Sequence, residues 1–303
     1  MHRRIITITA LVFMLSASCE AAENMITTGT AVSGDILMFG DALGIFSAVS
    51  SNSQTQLWTY QAGDSTSVGT PAVCGDTVIF AQVTGEITCL KISDGSLVWK
   101  YAPAFKVSTN AGLNDGVAVG DGRVYAAFMN GELKALDLKT GKPLWSYSSD
   151  QGLRTAPAYS DGMVFLGEYN GLFSMLDAET GKRINGGGAG GAVNTPSVSD
   201  GNVYYSAWDG SVHAVRIKGV IPLWSAKVSE PVTTSPVIDD GRVFVGTASG
   251  KVAALNQKDG AILWEHATQG GQLRLSASGG RVSVNTEDGR NIVLDAETGK
   301  DKK

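Results

Sequence analysis

Short runs of alternating apolar and polar residues cover the chain from about residue 30 onward, and glycine-containing turns separate them. A clear series covers residues 117–119, 123–128, 132–136 and 143–147. Alternation over a few residues is typical of a half-buried β-strand. No stretch of helical period lies between the runs, which excludes an architecture of alternating strands and helices. The pattern predicts units of four short antiparallel strands.

The turns between these runs carry a repeated signature. Pairs such as Asp121-Gly122 and Asp161-Gly162 join first to second strands, and pairs such as Asn130-Gly131 and Asn170-Gly171 join second to third strands. These dipeptides favour two-residue hairpins because both central positions need a positive φ. The sequence therefore predicts tight hairpins at both places.

The four-strand unit occurs seven times, and its last strand carries a tryptophan in five copies: Trp58, Trp99, Trp145, Trp224 and Trp264. Asn185 stands at this place in the fourth copy and Lys303 in the seventh, so that the spacing is 39–46 residues. A fixed period in this range indicates stacked units that share their cores. Four-stranded sheets arranged around an axis form a β-propeller. We predict an all-β, seven-bladed propeller in which the tryptophans are structural and fill the gaps between blades.

The seventh copy has no outer strand after Thr298-Gly299-Lys300. Residues 23–28 precede the first predicted inner strand and are not needed by the first blade. An open sheet edge would leave backbone groups unpaired. We therefore predict that the N-terminal segment adds a strand to the last blade and closes the ring, within one domain of residues 22–303.

Residues 1–21 are typical of an export signal. Arg3 and Arg4 precede an apolar stretch, residues 5–15, which is too short to span a bilayer. Small residues follow it, and cleavage after Ala21 or just before Cys19 is compatible with them. The second alternative would make Cys19 a lipid-bearing N-terminus. No other segment is long enough to cross a membrane.

Composition narrows the class of function. The formal net charge is −5 and only 17% of residues are charged, which argues against nucleic-acid binding. His2, His213 and His266 are not at metal-ligand spacing, and no catalytic motif is present. Cys74 and Cys89 fall on first and third strands of one unit, roughly 10 Å apart, so that buried thiols are favoured over a disulfide. We expect no catalytic residue, cofactor or metal, and a monomer.

The loops at one end of the predicted blades vary between copies. Residues 102–115 contain an insertion, and residues 186–192 are rich in glycine and are interpreted as a flexible connector. Binding residues concentrate on irregular loops that a rigid scaffold presents. The candidate partner-binding residues in or beside these loops are Met129, Arg154, Glu168, Tyr169, Trp208 and Arg274.

The series Ala135-x-Asp137-x3-Gly141-x3-Trp145 resembles the repeat of pyrroloquinoline-quinone (PQQ) dehydrogenase-like propellers, and Ala254 to Trp264 repeats it. The resemblance covers nearly the whole chain after the leader. In one branch of this superfamily, the quinone dehydrogenases, it implies PQQ beneath a vicinal disulfide, a calcium site and a catalytic Asp. This sequence has no adjacent cysteine pair, so no cofactor residue is carried over.

The other branch contains BamB-like lipoproteins of the outer-membrane assembly machinery, which are non-catalytic scaffolds with eight blades. The leader and the thin catalytic inventory are more similar to this branch, although this chain has seven repeats. The resemblance implies an exported scaffold that binds a protein partner in the cell envelope, in the periplasm or at the outer-membrane surface, with membrane contact only through lipid at Cys19. A propeller that binds a small molecule or glycan in its funnel, and a PQQ-dependent oxidoreductase, are the alternatives.

Overall fold

The computed structural model describes residues 29–41, 43–63, 69–82, 84–103, 113–128, 130–153 and 155–302. These residues form 27 strands and no helix. The first three sheets contain β1 (Ala31–Ser33), β2 (Ile36–Gly40), β3 (Ile45–Ser50), β4 (Gln56–Gln61), β5 (Ala72–Cys74), β6 (Thr77–Ala81), β7 (Ile87–Lys91), β8 (Leu97–Tyr101), β9 (Leu113–Gly120), β10 (Arg123–Phe128), β11 (Glu132–Asp137) and β12 (Pro143–Ser148). There is consequently no described helix with the length and apolar character needed to cross a bilayer.

The remaining four sheets continue the same order. They contain β13 (Ala158–Ser160), β14 (Met163–Gly167), β15 (Leu172–Asp177), β16 (Arg183–Gly188), β17 (Ser197–Ser199), β18 (Asn202–Ser206), β19 (Ser211–Arg216), β20 (Ile221–Lys227), β21 (Val237–Asp239), β22 (Arg242–Gly246), β23 (Lys251–Asn256), β24 (Ile262–Ala267), β25 (Leu273–Ser278), β26 (Arg281–Thr286) and β27 (Asn291–Asp295). Every sheet pairs its strands in sequence order and antiparallel, and the first strand of each contacts the first strand of the next. The predicted seven-bladed β-propeller is confirmed.

Two local predictions about loops were wrong. β9 begins at Leu113, so the end of the variable segment 102–115 belongs to an inner strand. Residues Gly186 to Gly188 are not a connector, because they form the second half of β16 and pair with residues 172–174 of β15. Glycine is permissive enough to continue a strand, and the ladder to β15 supplies the hydrogen bonds that fix it.

The two classes of hairpin differ in backbone geometry. Asp121 and Gly122 both have positive φ, 47° and 70°, as the tight two-residue turn requires. In the hairpin of Asn130 and Gly131 only the glycine has a positive φ, 90°. There the Asn130 side chain accepts the Glu132 amide (3.0 Å) and the Gly131 amide donates to Phe128 (3.0 Å), which makes a longer loop. The prediction of a two-residue turn is therefore confirmed for the first hairpin and wrong for the second.

Each of the five tryptophans lies against the following sheet. The Trp99 Nε1 donates a hydrogen bond to the carbonyl oxygen of Leu138 at 2.8 Å, and Trp145 donates to Ala178 at 3.1 Å. The same bond joins Trp58 to Ile92, Trp224 to Gln257 and Trp264 to Ala296. The indole thus satisfies its only donor while its ring covers apolar surface between two sheets.

A glycine receives each indole ring. A Cβ atom on Gly141 would lie 2.5 Å from Cε3 of Trp99, which is closer than two carbon atoms can approach. Its φ of 69° also favours glycine. Gly95, Gly181, Gly260 and Gly299 stand in the same relation to the other four tryptophans. The glycine and the tryptophan of the repeat therefore belong to one contact that crosses from sheet to sheet.

The apolar core consists of six clusters, and each is shared by two consecutive sheets of the described chain. Phe46 and Trp58 of the first sheet pack with Phe80 of the second, for example, and Tyr204 of the fifth packs with Val243 of the sixth. The clusters explain why a single sheet could not fold alone. Cys89 is buried in the second cluster, whereas Cys74 is only half-buried, and both are free thiols.

The last sheet has three described strands. Asp301 pairs with Leu294 as an isolated bridge, and the Lys302 amide donates to the carbonyl of Val293 at 2.7 Å. Several sequence predictions lie outside the described residues. These are the leader with Cys19, the closing segment 23–28, and the side chains of Met129, Arg154 and Lys303.

Candidate partner-binding face

The loops of the propeller lie on two faces. The uniform face carries the turns between first and second strands and between third and fourth strands. The variable face carries the hairpins between second and third strands and the connections between sheets. On the uniform face, Asp177 accepts the amide (2.8 Å) and hydroxyl (2.6 Å) of Thr180, and Asp137 does the same with Thr140. These carboxylates are thereby committed to holding turns.

On the variable face the hairpins of the first, third, fourth, fifth and sixth sheets are bonded to the connection that leaves the same sheet. The carbonyl of Gly131 accepts the Ser149 amide at 2.8 Å, and that of Gly171 accepts the Ala189 amide at 2.8 Å. A Cβ atom on Gly131 would lie 2.2 Å from the oxygen of Ser149. Glycine therefore permits two loops to meet backbone to backbone, and these described hairpins are tied to their connections rather than standing as separate loops.

Tyr169 and Trp208 occupy equivalent positions in the hairpins of the fourth and fifth sheets. Each is the second residue after the end of the second strand, and the two side chains are 46% and 42% exposed. Their amides donate to Gly152 and Ala192 of the connections beside them. Met129 is the equivalent residue of the third repeat in the sequence, and it lies outside the described residues. Large aromatic side chains thus stand at one hairpin position in two adjoining sheets.

Glu168 lies below this surface. It is 2% exposed, and its carboxylate accepts hydrogen bonds from the hydroxyls of Ser149 and Ser174, both at 2.7 Å. Ser149 belongs to the connection and Ser174 to β15, so the carboxylate joins three segments beneath Tyr169. This geometry fits a residue that positions the hairpin.

Arg274 lies apart from these residues. It is exposed on β25, the innermost strand of the seventh sheet, and is paired in register with Asn285. The structure therefore brings Tyr169 and Glu168 together, adds Trp208 on the adjoining sheet, and leaves Arg274 three sheets from the fourth in chain order.

The residues do not fit the quinone and calcium site of the dehydrogenase branch. Cys74 and Cys89 lie on β5 and β7, the first and third strands of the second sheet. Burial raises the pKa of Cys89 to about 11, so it remains a protonated thiol at neutral pH. The described residues contain no group of three or more His, Cys, Asp or Glu side chains that could hold a metal ion.

The sequence did not predict a cavity between two of the sheets. At the interface of the fourth and fifth sheets, where Asn185 replaces the tryptophan, a cavity of about 270 Å³ is lined by Phe173, Tyr205 and His213 among others. The sequence signal was present in three substitutions within the repeat, at residues 175, 185 and 220. The sequence alone shows the loss of tryptophan at Asn185, whereas the changes at residues 175 and 220 have meaning only when the contacts across the interface are known.

Three comparisons place the chain among known proteins. The family model described as "Outer membrane protein assembly factor BamB" matches residues 18–112, 102–184 and 185–302. The outer membrane protein assembly factor BamB of Yersinia pestis is 24% identical over 274 residues, which cover 84% of this chain and 58% of that protein. The quinohemoprotein alcohol dehydrogenase ADH-IIG of Pseudomonas putida is 34% identical over 96 residues, 29% of this chain and 13% of that enzyme.

Among solved structures, BamB from Moraxella catarrhalis superposes with a TM-score of 0.77 at 19% identity, covering 92% of this chain and 87% of that chain. At this identity the likeness supports the fold alone. The chain spans about half the length of the curated relatives it matches. The dehydrogenase match is confined to less than a third of the chain, whereas the family model extends over nearly all of it. The chain belongs to the outer membrane protein assembly factor BamB family.

Proposed function

We propose that this protein is a non-catalytic scaffold of the cell envelope that binds a protein partner through its variable face. The observation that carries the proposal is the pair Tyr169 and Trp208, two exposed aromatic side chains at equivalent positions of adjoining sheets. Family membership supports the envelope setting, since the relatives are named as outer membrane protein assembly factors.

The physical support is the combination of exposed aromatic area with a fixed backbone. Tyrosine and tryptophan dominate the energetic centres of protein interfaces, because a rigid ring offers much contact area for little lost conformational freedom. The hairpins beneath them are held by backbone hydrogen bonds to the connections and, under Tyr169, by Glu168. A partner that binds here therefore meets a preformed surface and does not have to order the loops.

The proposal of a non-catalytic scaffold is supported by the hydrogen bonds of its acidic side chains. The aspartates of the uniform face bind their own turns, and Glu168 is bonded to two serines. We further propose that the chain is exported, and that any membrane contact it makes is through lipid on Cys19. These two statements rest on the sequence of the leader and on the family.

The scaffold proposal is tested by affinity capture from envelope extracts with Tyr169→Ala/Trp208→Ala as bait, followed by mass spectrometry of the captured proteins. We expect recovery of partners to fall at least about tenfold, since truncating central aromatic residues commonly costs about 2 kcal/mol or more of binding free energy. Leu263→Ala is the matched control: Leu263 is 46% exposed, as Tyr169 is, but lies on the outer strand β24.

The melting temperature of each bait shows that it is folded. Capture of the same proteins at an undiminished yield by the double variant, with the control also unchanged, would contradict the proposal. If Leu263→Ala alone lost the partners, the binding surface would lie on the outer strands instead.

A further inference from the structure

The interface of the fourth and fifth sheets departs from the others at three positions. Where an indole is present, the residue paired with it on the third strand is small: Ala48, Cys89, Ala135, Ala214 or Ala254. In the fourth sheet Met175 is paired with Asn185. Across the interface Val220, four residues before Trp224, stands where the five copies that receive an indole place a glycine, and its φ is 52°.

The larger side chains do not fill the space that the indole would occupy. Met175 is buried and Val220 packs against the same apolar cluster, yet a cavity of about 270 Å³ remains between the sheets. Its mouth is formed by the exposed residues Asn185, Gly186 and Pro222. This volume is below the usual range of about 300–1,000 Å³ for small-molecule sites, and it favours a single inserted group.

The floor of the cavity is a column of stacked rings. The centroids of Phe173 and Tyr205 are 4.1 Å apart and nearly parallel, and those of Tyr205 and His213 are 4.6 Å apart at 15°. Gly187 contributes no side chain, and the Tyr205 hydroxyl oxygen lies only 2.6 Å from where a Cβ atom on Gly187 would be. Flat aromatic surface of this kind favours another aromatic ring.

His213 lines this cavity and carries an unsatisfied polar atom. Its Nε2 is buried and has no hydrogen-bond partner among the described residues. Burial lowers the pKa of His213, with Asp209 acting in the opposite direction, so the ring is neutral at pH 7. A neutral imidazole offers one donor and one acceptor. Leaving such an atom unpaired away from water is unfavourable.

We propose that this cavity binds a tryptophan side chain of a partner polypeptide, which enters between the fourth and fifth sheets. The occupant is argued from the repeat itself, because the equivalent space at five other interfaces holds an indole of this chain that donates to a buried acceptor. Here the rings of Tyr205 and His213, which line the cavity, would contact the inserted indole. The inference rests on the proposed scaffold function and adds the chemistry of the partner.

The test uses the full chain labelled with ¹⁵N-histidine. His213 reports on the cavity, and His266, which lies near Asp301 at 3.5 Å, is an internal reference outside it. The probes are blocked Gly-Trp-Gly, blocked Gly-Leu-Gly and free indole. We expect the tryptophan peptide to shift the His213 ring resonances saturably, with His266 unchanged and no shift from the leucine peptide.

Two variants close the site. Met175→Ala/Asn185→Trp/Val220→Gly restores the arrangement of the other interfaces, and Asn185→Trp alone covers the mouth. We expect the peptide affinity to fall at least about tenfold in both, and to stay within about twofold in Asn185→Ala. The single variant alters an exposed position, so the test remains decisive if the triple variant does not fold.

Absence of a shift with the tryptophan peptide would overturn the inference, as would equal shifts by the leucine peptide. If free indole binds but the tryptophan peptide does not, the inference is also overturned, since the site would then take a free aromatic ligand. The result can be separated from the scaffold proposal: Tyr169→Ala/Trp208→Ala should leave the peptide titration intact, and Asn185→Trp leaves the variable-face aromatics unaltered.

Discussion

Each interface tryptophan joins three interactions in one residue. The Trp99 ring covers apolar surface and is 7% exposed, its Nε1 donates to Leu138 across the interface, and its face is received by Gly141. A phenylalanine could supply the first interaction but not the second, and an alanine at Gly141 would obstruct the third. The glycine and the tryptophan of the repeat are therefore parts of one contact between sheets.

The value of this contact is measured by Trp99→Ala. We expect the free energy of unfolding to fall by about 3–5 kcal/mol, because a large buried side chain is removed and the Leu138 carbonyl loses its donor. Asn185→Ala at the same place of the fourth copy is the control and should change stability by no more than about 0.5 kcal/mol, since Asn185 is exposed. Urea titration gives both values. Similar losses for the two variants would show that the tryptophan is not a special contact.

At the level of the strand and turn, the sequence predicted whatever depends on local chemistry alone. The Asp121-Gly122 hairpin was predicted correctly because the dipeptide determines its own backbone angles. The Asn130-Gly131 hairpin was predicted incorrectly, because its geometry depends on the bond between Gly131 and Ser149 of the following connection. β16 was missed for a related reason: glycines 186–188 carry no strand signal, and only the ladder to β15 holds them extended.

The turns of the uniform face make stability dependent on pH. Hydrogen bonds from Thr140 and Thr180 hold the pKa values of Asp137 and Asp177 below their ordinary value. A carboxyl group whose pKa is lower in the folded than in the unfolded chain stabilises the fold above the unfolded value of about 3.9, and this contribution disappears as the pH falls through the folded pKa. The melting temperature should therefore fall steeply in acid.

We expect Asp137→Asn/Asp177→Asn to have a smaller drop in melting temperature between pH 6 and about pH 3 than the unaltered chain, since two of the responsible groups no longer titrate. Circular dichroism melts at several pH values measure the drop. Asp150→Asn is the control, because it removes an exposed carboxylate from a connection on the variable face. An equally steep acid loss in the double variant would assign the effect to other groups.

At the level of the whole molecule, the sequence predicted the number and order of the sheets because the repeat is periodic. It could not predict which exposed residues adjoin. Tyr169 and Trp208 are 39 positions apart in the chain and share a surface only because their hairpins are equivalent. Glu168 is an acidic residue next to an exposed tyrosine in the sequence, yet it is buried. Its carboxylate accepts hydrogen bonds from two serines of other segments, which the sequence does not reveal. The cavity could not be predicted from the sequence, because its three substituted positions come together only across the interface of the fourth and fifth sheets.

Because each sheet contacts mainly its neighbours in the chain, local stability should follow the quality of the individual interfaces. Among the six interfaces that share a described core cluster, that of the fourth and fifth sheets lacks the indole hydrogen bond and contains a cavity, so it should open before the other five. We expect amide protection factors in β16 to be about tenfold lower than in β12, β20 and β24, the difference produced by roughly 1.4 kcal/mol of lost interface energy. Hydrogen exchange read by mass spectrometry, corrected for intrinsic rates, measures this.

The variant Met175→Ala/Asn185→Trp/Val220→Gly should bring β16 to the protection of the others. Equal protection of all four outer strands in the unaltered chain would mean that packing by Met175 and Val220 fully replaces the tryptophan, and the ring would then have no weak interface at this point.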